Sequence, residues 1–140
     1  MFSPCYQLAD IKAFKGKGAA HAAQRWVREA QARLDAVYLE MEALKTSTRS
    51  VAGRSFAVEL YRRQRNGDVT VRWRWLSGEH CTWEAVAPEV AQMPRQLREF
   101  YLDVNTQMQA LNAVEASIRC ECRRGINLID RITESQGLLR

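Results

Sequence analysis

The stretch RRQRNGDVTVRWRWLSGEHCTW, Arg62 to Trp83, interleaves five arginines with three tryptophans, and its folding decides whether rings and charges share one surface. Its period is two. Upstream, Phe56, Val58 and Leu60 alternate with Ala57, Glu59 and Tyr61; downstream, Val69, Val71, Trp73 and Trp75 alternate with Thr70, Arg72 and Arg74. The runs flank Asn66-Gly67, a dipeptide suited to the type I′ turn, which needs positive φ at both central positions. A two-residue turn there sets Arg65 against Asp68, Arg63 against Thr70, Tyr61 against Arg72, Leu60 against Trp73, Glu59 against Arg74 and Val58 against Trp75. Paired residues share a face, so Val58, Leu60, Val69, Val71, Trp73 and Trp75 form an apolar face. Glu59, Tyr61, Arg63, Thr70, Arg72 and Arg74 form the other, and Arg62 falls on the apolar side near the turn.

A second turn around Ser77-Gly78-Glu79 leads to a third strand, HCTWEAV. With a three-residue loop Trp83 lies across from Trp73; with a two-residue loop it joins the arginines. So small a sheet is stable only with its apolar face covered, which directs Trp73 and Trp75 toward helices and leaves Tyr61 as the ring for stacking.

The helices lie on either side. From Ala19 to Lys45 there is no Gly or Pro, and Ala23, Val27, Ala30, Leu34, Val37, Met41 and Leu44 recur at spacings of four and three, a heptad seam. A second helix opens at Pro94 and runs to about residue 135, with Leu97, Tyr101, Val104, Met108, Leu111, Val114, Ile118, Cys122, Ile129 and Ile132 toward one side. Gly125 falls inside it, a cost of about 1 kcal/mol relative to alanine, which points to a bend or a close helix contact. Two narrow seams pack most simply as an antiparallel hairpin. The surplus length of the second helix is covered either by SPCYQLADIKAF, with Ser3 and Pro4 opening a helix and Tyr6, Leu8, Ile11 and Phe14 forming a stripe, or by a second copy of the chain. The expected fold is α+β, mostly α: one domain in which residues 1–46 are helical, 55–86 form a three-stranded antiparallel meander, and 94–135 form the long helix. APEVAQMP supplies a short helical turn between them.

A length of 140 residues with 46% apolar content supports one core. No apolar run of about 18 residues and no signal-peptide pattern occurs, so the expected compartment is cytoplasmic, with no membrane partner and four reduced cysteines. Cys120 and Cys122, two apart on a helix, point about 200° apart, and His80 beside Cys81 lacks C-x2-C or H-x3-H spacing, so no metal or other cofactor is expected. No third residue is evident to orient a Cys-His pair, and an enzyme is not expected. FKGKG lacks phosphate-loop spacing, yet Lys15 and Lys17 at a helix start are candidates to hold a phosphate.

The net charge of +5 is concentrated. Thr46 to Trp75 holds seven arginines (Arg49, Arg54, Arg62, Arg63, Arg65, Arg72, Arg74) against Glu59 and Asp68, and the rest of the chain balances at 14 basic and 14 acidic residues. Arginine suits bidentate phosphate contacts and stacking better than lysine. These seven, with Tyr61, Lys15 and Lys17, are the candidate nucleic-acid-binding residues.

FKGKG at Phe14–Gly18, the early helical Trp26, VRWRW at Val71–Trp75 and H-x2-W at His80 and Trp83 together resemble a family of accessory proteins of integrative conjugative elements and plasmids, encoded near single-stranded DNA-binding protein and type III topoisomerase genes. The resemblance implies a setting in mobile-element maintenance or transfer, with replication or transfer proteins as partners, and assigns no catalytic residue. Two readings follow. One is a DNA-binding accessory protein that grips the phosphate backbone of single- or double-stranded DNA through the arginine face. The other is an interaction adaptor or homodimer that uses the coiled-coil seam.

Overall fold

The computed structural model describes residues 11–65 and 67–140. Two antiparallel helices, α1 (Ala19–Arg49) and α3 (Arg95–Gln136), carry between them strands β1 (Phe56–Arg62), β2 (Val69–Trp75) and β3 (His80–Cys81) and a short helix, α2 (Trp83–Ala91). The sheet is antiparallel in the order β1-β2-β3. The fold is thus α+β and mostly α, with a three-stranded sheet inserted into a helical hairpin. Of the suggested N-terminal stripe, Ile11–Phe14 form a 3-10 turn that sets the Phe14 ring edge-on to Trp26, 6.2 Å between centroids, while Tyr6 and Leu8 lie outside the described residues.

The pairing register differs by two residues from that of a turn centred on Asn66-Gly67. Phe56 pairs with Trp75, Val58 with Trp73, Glu59 with Arg72 and Tyr61 with Thr70. Asn66 itself lies outside the described residues, but the flanking bonds define the loop. Arg63 N–H donates to the Asp68 carbonyl at 2.9 Å and Gly67 N–H to that of Arg63 at 3.1 Å, so four residues span the turn, with Gly67 at φ 73°. The physical reason is Phe56. Opposite Trp75 it is fully buried, its ring 5.4 Å from Trp73, 5.8 Å from Trp75 and 5.1 Å from Tyr101; the two-residue turn would slide it past the end of β2. A shift of two leaves every side chain on its expected face. Val58, Val69, Val71 and Trp73 are buried against the helices, with Leu60 and Trp75 partly so.

The expected third strand over residues 80–86 ends at Cys81. The loop Leu76-Ser77-Gly78 has three residues, closed by Trp75 N–H to the Glu79 carbonyl, but Thr82 then caps a helix, its Oγ1 accepting from Ala85 N–H at 3.2 Å. Val86 and Val90, four apart, turn inward from α2. Trp83 therefore reaches the apolar side from the first residue of a helix, 5.9 Å from the Trp73 ring.

The helical seam follows the expected spacing as far as Cys122, with one exchange, while Val27, Ile129 and Ile132 are only half-buried and lie outside the core. Ala23, Ala30, Leu34, Val37, Met41 and Leu44 of α1 meet Tyr101, Val104, Met108, Leu111, Ile118 and Cys122 of α3. Between Leu111 and Ile118 the position that keeps the four-three spacing belongs to Glu115, which is fully buried, while Val114 lies at the margin of the core. Gly125 marks a close helix contact within a continuous helix: a Cβ there would stand 2.6 Å from Val27 Cγ2 and 3.5 Å from the Trp26 ring.

Helix side chains complete the sheet where strands are missing. β3 covers only the Trp73–Arg74 end of β2. Beyond it, Val71 N–H donates to Asn112 Oδ1 at 2.9 Å, Asn112 Nδ2 returns a bond to the Val71 carbonyl at 3.0 Å, and Val69 N–H donates to Glu115 Oε2 at 3.0 Å. On the opposite edge Val58 N–H donates to Thr48 Oγ1 at 2.9 Å. These groups would otherwise be buried donors and acceptors without partners. Glu115 also accepts from Tyr38 O–H at 3.1 Å and Arg119 Nε at 3.3 Å, and Arg119 pairs with Asp68 at 2.7 Å.

Gly125→Val should cost about 2 kcal/mol or more by overpacking, and Val27→Ala in the same chain should recover part of that loss, as measured by urea denaturation. Burial, then the charge of Glu115, pushes Tyr38 up to about 12. The folded state therefore holds this proton more tightly than the unfolded chain, so the stabilisation is complete below about pH 10 and is lost as pH rises toward 12. Urea midpoints measured from pH 8 to 11.5 should fall less steeply for Tyr38→Phe than for the unaltered protein.

Candidate nucleic-acid interface

The face of the sheet turned away from the helices carries the pairs Ala57–Arg74, Glu59–Arg72 and Tyr61–Thr70. Alternation in β2 places Arg72 and Arg74 there because Val69, Val71 and Trp73 take the core side. From Ala57 to Arg63 this face runs about 20 Å at 3.3 Å per residue.

Tyr61 is engaged within the protein. The Arg72 guanidinium lies 4.2 Å above its ring centroid, and the His80 ring stands edge-on at 5.7 Å. One ring face is thus covered by a cation, which orients Arg72 and leaves its N–H edge available. The role of Tyr61 in this geometry is to hold an arginine.

The two acids of the segment are both engaged. Glu59 takes Lys45 Nζ at 2.9 Å and Arg49 Nη2 at 2.5 Å; burial raises its pKa, but these bonds outweigh that and hold the carboxyl below its ordinary range. Lys45 is absent from the candidates drawn from the sequence, although its i, i+4 spacing from Arg49 in the last turns of α1 is the signal that places both on one side. Asp68 is drawn to Arg119 of α3. Among the described residues, Arg54, Arg62, Arg63, Arg65, Arg72 and Arg74 have no ion pair with a carboxylate. Arg62, Arg63 and Arg65 are exposed at the hairpin end, and Arg74 donates Nε to the Gly78 carbonyl at 2.6 Å.

The structure gathers Arg49, Arg54, Tyr61, Arg72 and Arg74 with the hairpin arginines, but not Lys15 and Lys17. Those lysines are exposed before α1, whose 31 residues span about 45 Å, and Arg49 is at its far end. No group of three or more His, Cys, Asp or Glu residues that could hold a metal ion occurs among the described residues, and no described helix is long and apolar enough to cross a membrane. Cys122 is buried in the helical seam, while Cys81 is on β3.

Comparison with family models, curated proteins and solved structures finds no match to this chain.

Proposed function

We propose that the protein is a non-enzymatic nucleic-acid-binding accessory protein that grips the phosphate backbone of DNA with the outer face of its sheet. The observation that carries this reading is the set of six arginines without carboxylate partners among the described residues, along one face and hairpin end of a chain otherwise balanced in charge. Backbone contacts of this kind are independent of sequence, since base edges are not read. The mobile-element setting implied by VRWRW and its companion motifs is consistent with such a role. A protein-interaction reading draws on a different observation. The α1–α3 seam is filled within the chain, but Ile126, Leu138 and Leu139 are exposed at the end of the long helix and in the 3-10 turn after it, so docking or self-association would fall there.

A salt titration of DNA binding tests the first reading. Each neutralised phosphate contributes about 0.9 to the slope of log K against log salt on duplex and about 0.7 on single strands, so six contacts give a slope of roughly −5 or −4. Replacing Arg63, Arg72 and Arg74 with alanine should remove about half of that slope. Absence of binding at about 50 mM salt, where phosphate contacts are strong, contradicts the proposal. Full retention by the triple variant moves binding to another surface.

A further inference from the structure

At the end of the outer face nearest the C-terminus of α1, Arg49, Arg54 and Arg74 line one cavity of about 250 Å³ together with Glu59, Trp75 and Leu76. The three arginines come from the last turn of α1, the connection to β1 and the end of β2, segments that only the folded sheet brings together. Three guanidiniums and one carboxylate leave the lining with a surplus of two positive charges. Glu59 is itself neutralised further by Lys45.

The donors here are unequally committed. Arg49 gives Nη2 to Glu59 and Arg74 gives Nε to the Gly78 carbonyl. Arg54 makes no hydrogen bond or ion pair among the described residues, and its Nε is buried without an acceptor. The Nε is closed to solvent, so what Arg54 offers the cavity is the rest of a half-buried guanidinium that makes no hydrogen bond within the described residues, and an oxyanion is the acceptor that matches it. Planar arginine forks match phosphate oxygens, and a surplus of two charges matches a group carrying about −1.5 to −2 at neutral pH. The volume lies below the range of about 300 Å³ upward that encloses drug-sized ligands, which restricts the cavity to a head group with the remainder outside.

We propose that this cavity binds a phosphomonoester. Its source is either the phosphorylated end of a nucleic-acid strand laid along the arginine face, which rests on the backbone-binding reading, or a free phosphorylated small molecule, which does not. Leu76 is 62% exposed, so Leu76→Glu places a repelling charge at the cavity without disturbing the core, alongside the more direct Arg54→Ala.

The test uses the full chain at about 50 mM salt, with anisotropy of an oligonucleotide carrying or lacking a terminal phosphate, and calorimetry with inorganic phosphate and a nucleoside monophosphate. Terminal phosphorylation should tighten wild-type binding at least tenfold, and both variants should lose that increment. Leu76→Glu should still bind the unphosphorylated strand, whereas Arg54→Ala, which also removes a backbone contact, should bind it more weakly. A calorimetric response to phosphate or nucleoside monophosphate that both variants lose, without any preference between strands, supports the site with the free molecule as its source. If the monophosphate binds and no strand does, the cavity stands and the backbone reading falls. Indifference of the wild type to every phosphomonoester, or equal responses from wild type and both variants, overturns the proposal.

Discussion

A carboxylate buried where a heptad seam calls for an apolar side chain sets the constraint on which the rest of this structure depends. Glu115 of α3 is fully excluded from solvent, and a charge in that position is tolerable only when its oxygens are saturated by donors. Each donor comes from a different element: Tyr38 O–H from α1, Val69 N–H from β2, and Arg119 Nε from the next turn of α3. Arg119 carries the linkage on to Asp68, which flanks the hairpin turn. With Asn112 one turn earlier, paired to both backbone groups of Val71, the helix acts as a partner strand along the uncovered edge of β2. Sliding the ribbon by one pair would leave the carboxylate, the amide and the strand backbone without partners together.

That anchoring also determines what the outer face presents. The odd-numbered residues of β2 turn their side chains to the core and their backbone groups to α3 and β3, so Arg72 and Arg74 face outward. The linkage removes Asp68 from the hairpin by pairing it with Arg119, and Lys45 and Arg49 take up Glu59. The carboxylates placed by sequence among the arginines are thus neutralised from the helices. The positive potential of the hairpin follows from internal packing as much as from composition.

The side-chain faces were legible because they depend only on parity, and a register error of two preserves parity. Register was less so: Asn66-Gly67 is a strong local signal, and it lost to burial of Phe56 among Trp73, Trp75 and Tyr101. HCTWEAV alternates and so favours a longer third strand than the one that forms, whereas Thr82 is a helix cap whose weight depends on Val86 and Val90 reaching the core. Seam membership of Glu115 is visible in spacing but contrary to residue type, which favours Val114. Of the candidate site, arginines within the hairpin follow from alternation. The convergence of Arg49, Arg54 and Arg74 on one cavity, and the separation of Lys15 and Lys17 from it, depend on where α1 ends against the sheet.

The most direct test sets the heptad pattern against the buried network. If position 115 were an ordinary seam site, Glu115→Leu would hold or raise stability. With the carboxylate as a shared anchor, the same substitution should instead cost about 3–5 kcal/mol in urea denaturation, because Val69 N–H, Tyr38 O–H and Arg119 would lose their common acceptor while remaining buried or half-buried. A Glu115→Leu protein as stable as the unaltered chain, with the same dependence on denaturant, would contradict the anchoring role of this carboxylate.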